Sequence, residues 1–351
     1  MLVKDLLQKE NNNIDLLRLI AALGVIYGHA YAITPQPPLV DIVGTHISGE
    51  YSGSVSVKFF FFLSGLVVTN SLIRNPGLFN FVVARATRLL PALLVCLAVT
   101  TFVVAPLFSS VSFADYFTQR LPYSYFWRGL TFRPDWALPG VFLANPITAV
   151  NGSLWTLPIE ATCYLILFAM AALQVFRTRA IGALAMIGVI AFLTLVYLGV
   201  IGGFAAPKTD ATQLQLYFLA GGLFCLVGHF FEISKWTVCG LAVVAYLSKN
   251  TALLPTLQLA TILIAGLWLS TTKALKAIRL PGDYSYGVYL YGFFVQQCLK
   301  AAFPALDLRW HQLLCMLIAL ACGAASWHLL ERPAMRLWKR RTTIATKSSA
   351  E

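Results

Sequence analysis

The chain has 351 residues, of which 58% are hydrophobic and only 11% are charged. A soluble protein of this size needs far more charge on its surface, so the composition excludes a soluble globular domain and predicts an integral membrane protein with many helical spans. The net charge of +12 would suggest nucleic acid in a soluble protein, but membrane topology explains it here, because cytoplasmic loops collect Lys and Arg.

Ten apolar stretches are candidate membrane spans, and the seventh is the shortest of them. They run roughly over 14–34, 54–73, 84–106, 153–175, 180–201, 213–231, 236–249, 252–270, 284–303 and 311–331. Between the third and fourth spans lies a polar and aromatic segment, about 107–151. Its prolines predict an irregular loop with at most a short helix; they are Pro122, Pro134, Pro139 and Pro146.

The basic residues predict the orientation in the membrane. If the N-terminus is cytoplasmic, the inner loops hold most of the Lys and Arg, and the outer loops hold few. The sequence therefore predicts an all-α integral membrane protein with about ten transmembrane helices around a central cavity, and with both termini cytoplasmic. We expect one membrane domain over 1–341, followed by a polar cytoplasmic tail at 342–351.

The first span carries an arginine and a histidine in the stretch RLIAALGVIYGHA, at Arg18 and His29. Eleven residues of α-helix advance about 1,100°, so the two side chains share a face and lie about 16 Å apart along the axis. Ionisable side chains inside a span usually face the protein interior and serve function. The alternative is that Arg18 reaches the lipid headgroups and that His29 hydrogen-bonds to a neighbouring helix.

Imidazole is the side chain best suited to accept a proton near neutral pH. No serine or cysteine nucleophile lies beside His29 in the sequence. If His29 faces a cavity, the simplest chemistry is direct transfer to a hydroxyl that His29 deprotonates as a general base.

Six separate stretches, in order along nearly the whole chain, carry a resemblance to a known family. They are NNNIDLLRLIAALGVIYGHA (11–30), FFFFLSGLVVTNSL (59–72), RATRLLPALL (85–94), NGSLWTLPIEATCYL (151–165), YSYGVYLYGFFVQQ (284–297) and LLERPAMR (329–336). The chain resembles acyltransferase family 3, the membrane O-acyltransferases of bacterial surface glycans, in its stand-alone form without a C-terminal hydrolase-like domain. One departure is Gly292, where many members have a histidine.

The resemblance implies a multi-pass protein of the bacterial inner membrane that transfers an acyl group from cytosolic acyl-CoA. Acetyl is the expected group and acetyl-CoA the expected donor substrate, with no permanently bound cofactor. The acceptor would be a hydroxyl of a cell-surface carbohydrate or its lipid-linked precursor, such as lipopolysaccharide or exopolysaccharide. We expect no nucleic-acid partner and no metal site, since the histidines lack the spacing of metal ligands.

Arg85 and Arg88 are three residues apart and therefore lie on one face of the third span, near its cytoplasmic end. Guanidinium groups suit phosphate oxygens, because each offers a planar fork of donors. We expect both residues, together with Arg18, to bind the phosphates and pantetheine arm of acyl-CoA. Anchoring at the positive inner side of the membrane is the alternative for the pair.

Glu160 opens the fourth span after Pro158. Its carboxylate could orient or stabilise His29, or bind the acceptor hydroxyl, and we expect it to act with His29 in catalysis. Ser153 and Trp155 precede it and are candidate acceptor-binding residues, although Trp155 could equally be an interface anchor.

Tyr286 and Tyr289 begin the ninth span and could line the acceptor cavity; the alternative is a place in the aromatic belt of the membrane interface. Glu331 and Arg332 end the last span, where we expect a structural ion pair at the helix end. The seven cysteines lie in or beside apolar stretches, and we expect them to be small buried hydrophobic residues.

A transporter is the rival hypothesis, in which Arg18, His29 and Glu160 form a proton or solute pathway. Transporters often contain repeats that relate their halves, and the sequence shows none. The six stretches also have no explanation in a transporter.

Overall fold

The computed structural model describes residues 1–201 and 210–338. The described chain is 75% helical and contains no strand, which confirms the predicted all-α class. The α-helices, in chain order, are α1 (Val3–Leu6), α2 (Ile14–Ile33), α3 (Ile42–His46), α4 (Ser52–Arg74), α5 (Leu78–Val99), α6 (Phe113–Thr118), α7 (Leu121–Leu130), α8 (Leu157–Ala172), α9 (Arg179–Tyr197), α10 (Asp210–Val227), α11 (Lys235–Leu247), α12 (Leu254–Ser270), α13 (Lys273–Ala277), α14 (Ser285–Ala302) and α15 (Leu308–Ser326).

Each of the ten predicted spans contains a helix, and within the described residues seven helical segments are long and apolar enough to cross a membrane. The seven are Ile14–Ile33, Ser52–Arg74, Leu78–Phe108, Gly152–Ala172, Arg179–Tyr197, Asp210–Val227 and Leu308–Trp338. Helices α11 and α12 are apolar but shorter. A membrane-spanning architecture is therefore supported, while the count of ten and the cytoplasmic termini stay predictions. The expected tail at 342–351 lies outside the described residues.

The asparagine run before the first span ends in a helix cap. Asn13 Oδ1 accepts a hydrogen bond from the backbone N–H of Leu16 at 3.2 Å, which satisfies one of the free donors at the start of α2. The same side chain donates to the carbonyls of Leu275 and Ile278 at 2.8 and 2.6 Å. Local sequence thus determines where α2 begins, and Asp15 in its first turn favours the same boundary.

The segment between the third and fourth spans is more helical than predicted. We expected at most one short helix, but both α6 and α7 form there. Ser112 caps α6 by accepting from the backbone N–H of Asp115 at 3.1 Å. Pro122 lies in the first turn of α7, where its missing N–H costs nothing. A proline that was expected to break structure therefore helps to start a helix.

The described chain forms two compact units, each assembled from three stretches. The first unit comprises Met1–Gly24, Asp41–Leu78 and Ile159–Pro281, and the second comprises Val25–Val40, Phe79–Pro158 and Gly282–Glu351. The expectation of a single domain over 1–341 stays a prediction.

Close packing of α4 against α10 is the main helix contact of the first unit. A Cβ atom at Gly65 would overlap the carbonyl oxygen of Phe218, and one at Gly221 would overlap that of Phe62. Glycines therefore let the two backbones touch, as is common between membrane helices. The adjoining core consists of buried residues that include Leu63, Leu66, Phe62, Leu263 and Leu267.

Helices α14 and α15 also approach each other closely in the second unit. A Cβ at Gly287 would lie 2.7 Å from the Cα of Gly323, and a Cβ at Gly323 would lie 2.8 Å from the backbone nitrogen of Val288. Helix α5 continues through a π-helical turn at Thr100–Val104, and α15 continues through a second one at Trp327–Glu331. Such turns often occur at functional sites.

The cysteines follow the expectation in part. Cys96, Cys163, Cys225 and Cys315 are buried, whereas Cys298 and Cys322 are half-buried. Cys239 is exposed, so the expectation of a buried residue was wrong there. The reason is that α11 has only one fully buried residue, Ala245, and most of its apolar surface faces outward.

Candidate active site

Arg18 and His29 lie on one unbroken helix, α2, as the sequence predicted. In the first unit, the Arg18 guanidinium carbon lies 5.8 Å from the centroid of the Phe60 ring. In the second unit, the His29 ring meets the Phe293 ring edge-on at 5.2 Å between centroids. Both side chains are half-buried, so each is in contact with other residues of the protein.

The Asn151–Thr156 segment comes close to the same part of α14. Phe293 lies against this segment, since a Cβ at Gly152 would approach its ring to 2.8 Å. Asn151 donates to the carbonyl of Leu290 at 2.9 Å, and the hydroxyls of Thr156 and Tyr289 are hydrogen-bonded at 2.7 Å. The second unit therefore brings His29, α14 and this predicted acceptor-binding segment together through the Phe293 ring.

Ser153 and Trp155 differ in their exposure within that segment. Ser153 is buried and its carbonyl accepts a hydrogen bond from the Thr156 hydroxyl at 3.3 Å. Trp155 is half-buried, so part of its ring remains accessible.

Glu160 lies in the first turn of α8 and is half-buried. Its Oε1 accepts a hydrogen bond from the hydroxyl of Tyr164, one turn further along the helix. A carboxylate in the first helical turn is stabilised by the helix dipole. The expected interaction of Glu160 with His29 or with an acceptor stays a prediction.

Arg88 is held by two carboxylates from the C-terminal part of the second unit. Its Nη2 lies 2.6 Å from Asp283 Oδ2, and its Nη1 lies 3.3 Å from Glu331 Oε2. All three side chains are largely buried, with exposures of 13% for Arg88, 10% for Asp283 and 0% for Glu331. The guanidinium fork therefore already binds two anions.

Further contacts orient both of these carboxylates. The Ser285 hydroxyl donates to Asp283 Oδ1 at 2.5 Å, and the Ser326 hydroxyl donates to Glu331 Oε1 at 2.9 Å. The sequence analysis missed Asp283 and gave Glu331 a helix-end partner, Arg332, but did not foresee Arg88. Acidic residues are rare in the apolar stretches, and a buried acid needs a buried base. This scarcity could have indicated that Asp283 and Glu331 pair with a buried arginine.

Arg85 lies one turn before Arg88 on α5 and is half-buried. The spacing puts both arginines on one face of the helix, as predicted. Tyr286 is buried, and its hydroxyl donates to the carbonyl of Leu89 at 3.1 Å. That hydroxyl therefore links α14 to α5, and the aromatic-belt alternative does not apply to Tyr286, because a belt residue keeps its hydroxyl in the lipid–water interface.

The sequence as a whole matches the family model of the acyltransferase domain over residues 11–328. The chain therefore belongs to this acyltransferase family, as the six stretches indicated.

Two curated relatives match almost end to end. An O-acetyl transferase of Shigella phage Sf6 is 27% identical, over 92% of this chain and 96% of the relative. Nodulation protein 10 of Rhizobium leguminosarum bv. viciae is 29% identical, over 96% of this chain and 95% of the relative. No solved structure matches.

Proposed function

We propose that this protein is a membrane O-acyltransferase that moves an acetyl group from cytosolic acetyl-CoA to a carbohydrate hydroxyl outside the cytoplasm. The acceptor is a cell-surface glycan or its lipid-linked precursor, and the enzyme resides in the bacterial inner membrane. The observation that carries the proposal is the position of His29, edge-on to Phe293 beside the Asn151–Thr156 segment of an acyltransferase chain. The relative named O-acetyl transferase supports the choice of acceptor atom and acyl group.

In the proposed reaction His29 acts as the general base. One imidazole nitrogen takes the proton of the acceptor hydroxyl while the hydroxyl oxygen attacks the thioester carbonyl carbon. The carbon–sulfur bond then breaks, and the coenzyme A thiolate leaves and receives the proton from the imidazolium. An ester and free coenzyme A result, and His29 is neutral again. Most of the rate would come from holding two substrates in reacting geometry, with proton removal adding about 10²–10⁴-fold.

On the donor side, we assign Arg85 and Arg18 to the phosphates and pantetheine arm of acyl-CoA. We expected Arg88 to share this role, but its guanidinium is already engaged by Asp283 and Glu331. A phosphate that approached Arg88 would also meet those two negative charges. We therefore propose that Arg88 supports the donor site by holding the protein around it.

On the acceptor side, we assign the half-buried Trp155 to the sugar, since part of its ring is accessible. The Tyr289 hydroxyl, paired with Thr156, and the Ser153 side chain complete the proposed acceptor site. Tyr286 contributes through its position, because its hydroxyl is bonded to Leu89. Glu160 is assigned to orienting His29 or the acceptor hydroxyl.

The test is the transfer of radiolabelled acetyl from acetyl-CoA to glycan in host membranes that contain the wild-type protein or His29→Ala. We expect the wild type to release coenzyme A thiol and label a glycan, and His29→Ala to lose about 10²–10⁴-fold of both activities. His46→Ala is the matched control, since the His46 side chain is exposed and its described hydrogen bonds go to Thr45 and Ile42 of its own helix, α3.

Two results would contradict the proposal. Full activity in folded His29→Ala would remove the histidine from the mechanism. Wild-type protein that neither consumes acetyl-CoA nor labels a glycan would overturn the acyltransferase reaction itself.

A further inference from the structure

Two neighbouring glutamines, Gln296 and Gln297, are fully buried in α14. A buried amide in an apolar membrane helix is costly unless it is hydrogen-bonded, and polar side chains in spans commonly serve function. The two glutamines have identical chemistry and burial but different partners. They therefore form a natural pair for comparison.

Gln296 binds the backbone of α2 just before the proposed general base. Its Nε2 donates to the carbonyl oxygen of Ile26 at 2.8 Å. His29 follows Ile26 by three residues and therefore lies on the same face of α2. The glutamine thus contacts the helical turn that carries the imidazole.

Other residues of α14 and α15 contact the same part of α2. Gly292 precedes Gln296 by one turn, and a Cβ there would lie 2.7 Å from Ile26 Cγ1. Phe293 meets the His29 ring, and Gln312 donates to the carbonyl of Tyr27 at 3.2 Å. Gln296 therefore belongs to a surface that holds both the backbone and the ring of this turn.

The backbone of Gln296 is itself fixed by a buried histidine. His311 Nε2 is hydrogen-bonded to the Gln296 carbonyl oxygen at 3.1 Å, and His311 is fully buried on α15. This contact links α15, through Gln296, to the turn before His29.

The oxygen of the Gln296 side-chain amide indicates that a contribution to stability alone does not explain why a glutamine is present here. Among the protein groups of the described residues, its Oε1 finds no hydrogen-bond partner. A buried acceptor without a partner lowers stability, and a leucine or methionine of similar volume would avoid that cost. Packing alone therefore does not require an amide at this position, which indicates a further role for it.

In the described part of the chain, the Gln297 side chain forms hydrogen bonds with a loop and not with α2. Its Nε2 donates to the carbonyls of Ile147 and Ala149 at 2.7 and 2.5 Å, and its Oε1 accepts from Asn145 at 3.0 Å. These contacts tie α14 to the loop before the Asn151–Thr156 segment. None of its described hydrogen bonds reaches α2.

We propose that Gln296 is a positioning residue for His29, which sets the placement of the imidazole by holding the Ile26 carbonyl. This role rests on the proposed function of His29 as general base. Gln297 holds a loop and does not share the role.

The test compares Gln296→Leu with Gln297→Leu in purified, folded protein. For Gln296→Leu we expect kcat for acetyl transfer to fall about 10- to 100-fold, because small misplacements of a reacting group are costly. The KM for acetyl-CoA should remain within about twofold of the wild-type value, since we assign the donor to Arg85 and Arg18, which lie outside this turn. For Gln297→Leu we expect a lower thermal midpoint with kcat per folded molecule preserved.

A spectroscopic measurement keeps the test independent of turnover. In protein labelled with ¹⁵N-histidine, the signal that disappears in His29→Gln identifies the imidazole of His29. We expect that signal to shift in Gln296→Leu and to stay in place in Gln297→Leu. Gln296→Met serves as a second variant if the leucine substitution prevents folding.

An unchanged kcat and an unmoved His29 signal in folded Gln296→Leu would overturn the positioning role. Equal effects of the two leucine variants would overturn it as well, since a general packing defect would then explain both. Wild-type protein without acetyl transfer would contradict the proposed function instead, and the His29 signal would still test the contact.

Discussion

The guanidinium of Arg88 lies in an apolar helix, and its buried surroundings determine which side chains it binds. Arg88 cannot rely on water, so it pairs with Asp283 and Glu331, which are buried as deeply as the arginine. Arg85 lies one turn earlier on the same face of α5, and we assign it a different role, in binding the donor. The two arginines are therefore expected to respond differently to substitution.

We predict that Arg88→Ala destabilises the protein and that Arg85→Ala weakens donor binding. Loss of Arg88 removes the guanidinium that binds two buried carboxylates, and breaking a buried ion pair costs about 3–5 kcal/mol. Less folded protein and a lower thermal midpoint in detergent are therefore expected. Arg85→Ala should raise the KM for acetyl-CoA, because it removes a positive charge that we assign to the donor phosphates. Thermal unfolding and acetyl-CoA kinetics of both variants measure the difference.

Arg88→Lys is the informative control for this prediction. A lysine ammonium lacks the planar fork that reaches two carboxylates at once, so the thermal midpoint should stay below that of the wild type. A stable Arg88→Ala protein with a raised KM would show that Arg88 contacts the donor directly.

Gly292 is a second residue whose role depends on its neighbour. The close approach of Ile26 leaves little space for a side chain at this position. A side chain at this position would therefore require the Ile26 side chain to move.

We predict that Gly292→Ala lowers stability by about 1–3 kcal/mol, because the added methyl group overpacks the contact with Ile26. Gly240→Ala is the control: Gly240 lies in α11 with nothing within 4 Å of an added Cβ, and alanine favours helix. Thermal unfolding of both variants is the measurement. An unchanged midpoint for Gly292→Ala would mean that the Ile26 side chain gives way at little cost.

At the scale of elements, glycines decide which helices touch. In the bilayer, apolar surface alone does not drive helices together, so close contact depends on small residues that let backbones approach. Gly65 and Gly221 do this for α4 and α10, and Gly287 and Gly323 do it for α14 and α15. These contacts lie within one unit each.

We predict that Gly65→Ala and Gly221→Ala each prevent the accumulation of folded protein. The new Cβ would collide with backbone atoms, among them the Phe218 carbonyl carbon at 2.7 Å and the Leu66 nitrogen at 2.9 Å, and backbone cannot rotate away as a side chain can. Gly188→Ala on α9, which has open space around an added Cβ, should accumulate normally. The yield of monodisperse protein after detergent extraction measures the effect, and normal yields for all three variants would refute the close packing of α4 and α10.

At the scale of the whole molecule, the number of spans determines the topology. Seven helical segments meet the length and hydropathy of a span, while ten apolar stretches are helical. An odd number of crossings puts the termini on opposite sides of the membrane, and an even number puts them on the same side. Helices α11 and α12, which are shorter, and α14, which is not among the seven, decide between these outcomes.

We predict that both termini are cytoplasmic, which requires an even number of crossings. A C-terminal fusion to green fluorescent protein should fluoresce, and the corresponding fusion to alkaline phosphatase should be inactive. A phosphatase inserted in the loop between α6 and α7 should be active, because that loop is expected outside. An active phosphatase at the C-terminus would contradict the predicted topology.

The sequence by itself determined the class of protein, the all-α fold and the place of most helices. Apolar runs have only one stable form in lipid, because the backbone must satisfy its own hydrogen bonds there. It also determined that Arg18 and His29 share a helix, since their spacing needs only helical geometry. The segment 107–151 was expected to hold at most one short helix but forms both α6 and α7, because their starting residues, Ser112 and Pro122, look like ordinary loop residues.

The tertiary structure alone decided which side chains meet. Asp283 lies 195 residues from Arg88, and Gln296 lies 270 residues from Ile26. Helical periodicity assigns a residue to a face, but it does not say which distant helix packs against that face. The pairing of Arg88 and the contacts around His29 therefore emerged only from the packing of helices within the second unit.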